Sequence, residues 1–306
     1  MLPRRFLGLA LLCPLALAQT KNVAEQLGYP AGTKLLILHA DDLAVSHSQD
    51  RASFAALDRR AVSSASIMAP CPWLTEVAEY AQAHPDADLG LHLTLTSEWI
   101  SYRWGPLASR DQVPGLLGPD GNLWPDVLFV VKNAKPAEVE TEIRAQVERA
   151  MKVGIHPTHL DSHMGTLFNP VYFPAYVKVA HEYGLPFLAT RPPGAPASLL
   201  ALLKDTDILP DTILVAGSEL KPENWASYYL GLIRSLKPGL SELIVHLAYD
   251  DAEMQAVTVN HPAYGSAWRQ RDFDVITGPE FRQALQDNAV KLIGWREIKE
   301  RIAGKK

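Results

Sequence analysis

Leu35-Leu36-Ile37-Leu38-His39-Ala40-Asp41-Asp42 is the stretch on which the fold of this chain turns. Four aliphatic residues without a polar break, ending in two adjacent carboxylates, read as a strand buried in a sheet. Seven further short β-rich runs follow, at residues 64–68, 89–93, 158–160, 187–189, 213–215, 243–246 and 290–293. Helix-like amphipathic stretches lie between them at 48–60, 74–83, 137–153, 170–183, 223–235 and 278–287. In the third of these, Val139, Ile143, Val147, Ala150 and Met151 recur at helical spacing, with Glu and Arg on the other face. Strands alternating with helices point to a parallel sheet. Eight such runs in 306 residues favour a TIM-like (β/α) barrel, an α/β fold in a single domain, over an open sheet.

Residues 97–133 break this rhythm as a long irregular insertion after the third strand. They carry Trp99, Trp104, Trp124 and several Pro and Gly where a short βα loop is expected. Insertions of this length are usually functional loops or lids. The aromatic residues have two readings, as platforms for sugar rings or as a small satellite core beneath the loop.

The chain is 47% hydrophobic and 21% charged, which suffices for a globular core and excludes disordered, collagen-like and coiled-coil classes. Its formal charge of −5 comes with no basic run long enough to follow a phosphate backbone. Nucleic acid is therefore not an expected partner, and a small molecule or oligosaccharide is. Arg4 and Arg5 precede an apolar stretch ending in Ala16-Leu17-Ala18, the pattern of a cleavable signal peptide over residues 1–18. That stretch falls short of the roughly 20 apolar residues of a membrane span, so stable membrane insertion is not expected. The expectation is a secreted or periplasmic protein whose charge becomes −7 once the two arginines are lost. Cys71 would then be the only cysteine, leaving no internal disulfide.

Four motifs carry chemistry. Asp41 and Asp42 stand where a strand becomes a loop and neighbouring side chains point different ways, so one carboxylate can ligate a metal while the other faces water or substrate. A helix N-cap or a solvated turn would use the same residues. His92 interrupts a buried pattern in Gly90-Leu91-His92-Leu93, where a hydrogen-bonded core histidine is the plainer reading. Thr158-His159-Leu160-Asp161-Ser162-His163 places His159, Asp161 and His163 on one face if the strand extends that far, which is more chemistry than packing needs. His246 ends the run Leu243-Ile244-Val245 and reads either as a group able to protonate a leaving amine or as a satisfied loop histidine. Arg191, after the fifth run, could bind a substrate oxygen or pair with an acid. His47, His84, His156, His181 and His261 have no sequence neighbours that raise them above surface or loop residues.

In a barrel the ends of the first, third and fourth strands converge on one face, making Asp42, His92 and His163 a candidate metal site with open positions. Mixed oxygen and nitrogen donors suit one divalent cation, zinc by its imidazoles, magnesium or manganese if waters fill the shell. With Asp41 beside it as general base, the chemistry is hydrolysis.

Taken in order, these motifs resemble the YdjC-like carbohydrate deacetylases, the group that includes chitooligosaccharide and hopanoid-biosynthesis deacetylases. The resemblance rests on Ala40-Asp41-Asp42, on Gly90 to Leu93, on Thr158 to His163, and on Leu243 through the Tyr249-Asp250-Asp251 turn. It implies a TIM-like barrel and metal-dependent removal of an acetyl group from an N-acetylated amino sugar. It further implies Asp42, His92 and His163 as metal ligands, Asp41 as base, and His246 as acid or substrate contact. Three departures bear on substrate and leave the triad intact. Met164-Gly165 follows His163 where the family has a second histidine, His246-Leu247-Ala248 stands for His-Pro-Gly, and Leu43-Ala44 stands for Phe-Gly. Two other functions fit the same residues: hydrolysis of another amide or ester, and non-catalytic glycan binding, against which Asp41 argues because a binder needs no base.

Overall fold

The computed structural model describes residues 22–190 and 196–304. The signal-peptide reading of residues 1–18 and the substrate-contact reading of Arg191 both lie outside the described residues. Seven strands form one parallel sheet: β1 (Lys34–Leu43), β2 (Ser64–Ile67), β3 (Leu89–Leu93), β4 (Leu160–Ser162), β5 (Thr212–Val215), β6 (Gly239–Val245) and β7 (Val290–Leu292). The order is β4-β3-β2-β1-β6-β5, with β7 placed against Lys34 to Leu36 at the start of β1. There β7 shares an edge with β2, which pairs further along, from His39 to Leu43. The remaining expected run, at 187–189, contributes a single parallel bridge from Phe187 to Leu160 and so extends the sheet past β4.

The expected closed or nearly closed TIM-like (β/α) barrel is present as a curled parallel sheet, and among the described residues full closure is not seen. No pairing among them joins β5 to the Phe187 segment, and β1 pairs with β6 along one edge and with β7 and then β2 along the other. What forms is a curled parallel sheet with an open seam. In a flat sheet β1 and β4, three positions apart, would lie on the order of 14 Å from each other. Yet His39 Nε2 on β1 stands 3.0 Å from Asp161 Oδ2 on β4. Only strong curling brings these inward-facing side chains together.

Period-two alternation along β1 explains why its sequence is apolar without a break. Leu36, Leu38 and Ala40 join the main core, whereas Leu35 and Ile37 belong to a second cluster with Leu188, Leu240 and Trp295. The short helix Val23–Gln26 adds Val23 and Ala24 to that second cluster. The helix Pro136–Lys152 buries Val139, Ile143, Val147 and Ala150 as its periodicity predicts, while Met151 is exposed. A Cβ at Gly90 would collide with the His159 ring, so that glycine leaves room for this side chain over β3.

Residues 97–133 are less irregular than the sequence suggests, containing the 3-10 turn Pro114–Leu116 and the helix Val127–Asn133. Trp99 and Trp104 are 2% and 4% exposed and meet edge to face, 5.6 Å between centroids, inside the main core. Both are packed in that core, and Trp99 also borders the cavity described below. Cys71 is buried and free, and among the described residues no helix is long and apolar enough to cross a membrane.

Candidate metal centre

The end of β1 is bent out of strand geometry. Asp42 has φ 71° and Ala44 φ 76°, both in the left-handed region that costs a non-glycine residue roughly 1–3 kcal/mol, and the β1–β2 register slips between Ala40 and Leu43. The bend turns Asp42 towards the side occupied by Asp41, where a regular strand would send the two carboxylates to opposite faces. Three contacts hold it. Arg269 Nη2 donates to Asp42 Oδ2 at 2.7 Å, the Ala44 N–H donates to Asp50 Oδ1 at 2.6 Å, and Gln49 Nε2 donates to the Asp41 carbonyl at 2.7 Å. Gln49 also accepts from Arg269 Nη1 at 2.9 Å, joining the first and third contacts.

Asp42 Oδ1 then faces two imidazoles, 3.3 Å from His92 Nε2 and 3.4 Å from His163 Nδ1. One donor atom from each of the three residues lies within 4.8 Å of the other two. The oxygen is buried and has no hydrogen-bond partner among the described residues. The far nitrogen of each ring is taken by a carboxylate: His92 Nδ1 lies 2.6 Å from Asp161 Oδ1, and His163 Nε2 lies 3.0 Å from Glu98 Oε2. Rings anchored in this way present a fixed nitrogen to a metal, as second-shell carboxylates do in histidine metal sites. An orphaned oxygen and two oriented nitrogens fit a divalent cation.

The charges tell the same story. Burial works against ionisation of Asp42, but Arg269, and then His163 and His92, hold its carboxyl well below the usual range. Burial likewise opposes a charge on His163, yet Glu98 and Asp42 raise it to about 9, and Asp41 and Asp161 raise His92 well above an ordinary imidazole. Negative charge concentrated between these rings attracts protons when no cation is there.

Asp41 lies among three imidazoles. Its Oδ1 is 3.2 Å from His39 Nε2, and its Oδ2 is 3.6 Å from His92 Nε2 and 3.9 Å from His246 Nε2. His246 follows β6 and packs edge-on against Tyr264, with 5.0 Å between centroids. Its backbone N–H donates to Asp272, a buried carboxyl that also accepts from Trp225 and Tyr229. Burial pushes His246 down to about 4; Asp42 resists and Arg269 assists. It is a neutral imidazole at pH 7. Asp41, His92, His163 and His246 all line one cavity of about 700 Å³.

Beneath this cluster lies a second polar layer. His39 sits between Asp161 and Glu242, and burial's downward pull on it is overcome by Asp161 and Asp41, which raise it to about 10. Burial pushes the Glu242 carboxyl up to about 8 against the opposing charge of His39. His159 stacks on Trp295 at 5.3 Å and burial lowers its pKa. The motif from Thr158 to His163 therefore divides, His163 going to the upper cluster, His159 to the lower layer, and Asp161 bridging them.

Sequence reasoning missed three residues. Arg269 lies in the helix Ser266–Ile276, where neighbouring Gln and Arg make it look like a surface position. Glu98 sits at the start of the irregular insertion. His261 lines the cavity although no neighbour in sequence marked it. A signal for Glu98 exists in hindsight, an acid six residues after the buried strand histidine His92.

A family model described as YdjC-like protein matches residues 35–287. The chain belongs to this family. Among its relatives, a carbohydrate deacetylase of Thermus thermophilus is 32% identical over 290 residues, 92% of this chain and 99% of that protein. A chitooligosaccharide deacetylase of Serratia marcescens is 26% identical over 87% of this chain and 99% of its own length. A solved protein of Enterococcus faecalis, described as a candidate cellobiose-phosphate cleavage protein, shares the fold of this YdjC-like chain with a TM-score of 0.74 at 24% identity, covering 87% of this chain and 99% of that one. The expectation of a secreted or periplasmic protein is withdrawn. The relatives from Thermus thermophilus and Thermoanaerobacter pseudethanolicus match over 99% and 100% of their own lengths, and neither is described as exported.

Proposed function

We propose that this YdjC-like protein is a metal-dependent carbohydrate deacetylase that hydrolyses the N-acetyl amide of an amino sugar or oligosaccharide. The observation that carries the reading is the buried, unpartnered Asp42 Oδ1 facing one nitrogen each of His92 and His163, with Asp41 alongside. The names of the relatives supply the sugar and the acetyl group. A divalent cation held by Asp42, His92 and His163, zinc, magnesium or manganese, would supply Lewis-acid polarisation of the amide carbonyl and of a water.

The chain's own residues do the rest. Asp41 accepts a proton from the attacking water as general base. The water oxygen bonds to the carbonyl carbon, the C–N bond breaks, and its electron pair leaves on nitrogen. His246, neutral at rest and 3.9 Å from Asp41 Oδ2, is placed to receive that proton and deliver it to the departing amine. The products are acetate and an ammonium group. Arg269 neither binds nor reacts; it keeps Asp42 ionised and in place.

The test is acetate release from N-acetylated and O-acetylated sugars by metal-stripped protein resupplied with each cation in turn. Restored release that vanishes in Asp41→Asn is the expected result. Release independent of metal, or none from any acetylated sugar, would overturn the reading.

A further inference from the structure

The cavity changes character between β5 and the Phe187 segment, which do not pair among the described residues. Leu188 from the Phe187 segment, Ile213 and Val215 from β5, and Ile244 from β6 line it there. Leu188, Ile213 and Ile244 all pack with the inner apolar cluster, and Val215, on the edge strand, is 43% exposed. None has a side chain that can hydrogen-bond. A sugar hydroxyl placed between them would give up water and gain no partner, a net penalty. A hydrocarbon would gain from the same burial.

In an N-acyl amino sugar the hydrocarbon is the acyl chain, joined directly to the carbon that Asp41 and His246 flank. The sugar is left to the rest of the cavity, whose lining includes Tyr264 and Phe168. An acetyl methyl alone would occupy little of a cavity of about 700 Å³. Gly165 in the cavity wall adds no side-chain bulk. We infer that the site accepts N-acyl groups longer than acetyl, with the chain lodged between Leu188, Ile213 and Ile244. This rests on the hydrolytic reading above and specifies its substrate. The step is unchanged: amide and water give a carboxylate and an ammonium.

The experiment compares N-acetyl, N-butyryl and N-hexanoyl forms of a glucosamine disaccharide with the octyl glycoside of N-acetylglucosamine. Inhibition by acetate and by hexanoate is measured in parallel as a binding readout. Each fully buried methylene is worth about fourfold, so partial burial should still raise kcat/KM about tenfold from acetyl to hexanoyl, with hexanoate the tighter inhibitor. Ile213→Trp should bring the hexanoyl-to-acetyl ratio down to about one, and Val215→Trp, at an exposed edge, should lower it should the first variant fold poorly. Turnover of the acetyl form with slower hexanoyl turnover would overturn the inference and leave deacetylation standing. A gain confined to the octyl glycoside would also overturn it, because the crevice would then hold the other end of the substrate. Turnover of none would overturn the hydrolytic reading and this inference with it.

Discussion

Two buried clusters of histidine and aspartate lie one above the other in this sheet, and they have nearly the same composition. Asp42, His92 and His163 form the upper one; His39, His159 and Asp161 form the lower, and in each the donor atoms lie within 4.8 Å of one another. What separates them is access: Asp42, His92 and His163 line the cavity and His39 and His159 do not, although His39 Nδ1, His159 Nε2 and Asp161 Oδ2 are also buried without a hydrogen-bond partner. In the upper cluster Asp161 and Glu98 occupy the outer ring nitrogens, and the inner ones face an oxygen without a partner beside a cavity. In the lower one His39 Nε2 is within 3.0 Å of both Asp161 Oδ2 and Ser66 Oγ, and His159 is pressed against Trp295 with no exposed surface. A group of ligand-type residues is open to a metal when a cavity reaches it. Without one, as for His39 and His159, it is a charged layer beneath the cluster above.

The comparison can be broken at several points. Asp41→Asn should cause the largest loss, about 10²–10⁴-fold in kcat, with metal content unchanged by elemental analysis, because it removes a base and no ligand. Next, Asp161→Asn and Glu98→Gln should each weaken metal binding about 10–100-fold in a competition titration. Asp161→Asn should be the more damaging, since it also removes one of the two aspartates paired with His39. Proton release gives a third handle. His163 is raised to about 9 and His92 stands well above an ordinary imidazole, so at pH 7 the apo site is protonated and a cation must displace those protons. Affinity should therefore rise with pH up to about 9, and calorimetry in buffers of different ionisation enthalpy should count more than one proton released at pH 7.

The smallest effect belongs to the lower layer. Glu242 is held neutral up to about pH 8, whereas in the unfolded chain it ionises near 4.5. The folded state thus loses stability as pH rises from about 4.5 to 8, where burial forbids the charge that the unfolded chain accepts. Glu242→Gln should match the parent at pH 4.5 and exceed it in Tm by a few degrees at pH 9, on a scale of about 2–4 °C per kcal/mol. Equal Tm differences at both pH values would mean the layer is not a titrating one.

Much of this was legible in the sequence. The apolar run ending at Asp41-Asp42, the histidine inside a buried strand and the dense segment at 158–163 mark the ends of β1, β3 and β4; period two accounts for His92 and the 158–163 face, whereas Asp42 joins them through the left-handed bend that ends β1. Contacts between distant segments left no such mark. Arg269 comes from a helix 227 residues beyond Asp42 in the chain and looks solvated, yet it stabilises a strained turn. Glu98 belongs to a segment with no periodicity to orient it. The division of His159 from His163 was hidden as well, because strand alternation gives the face of a residue and not its depth. The open seam was equally invisible, since eight apolar runs look alike whether or not the last edges pair.

The distinction between the two clusters is tested most directly by metal stoichiometry. Elemental analysis of the purified protein after loading with zinc should be compared with Asp42→Ala and His159→Gln, each checked for native circular dichroism. One ion per chain in the parent and in His159→Gln, and none in Asp42→Ala, is the expected result. Retention of the ion in Asp42→Ala, or its loss in His159→Gln alone, would put the metal in the lower layer and contradict the assignment.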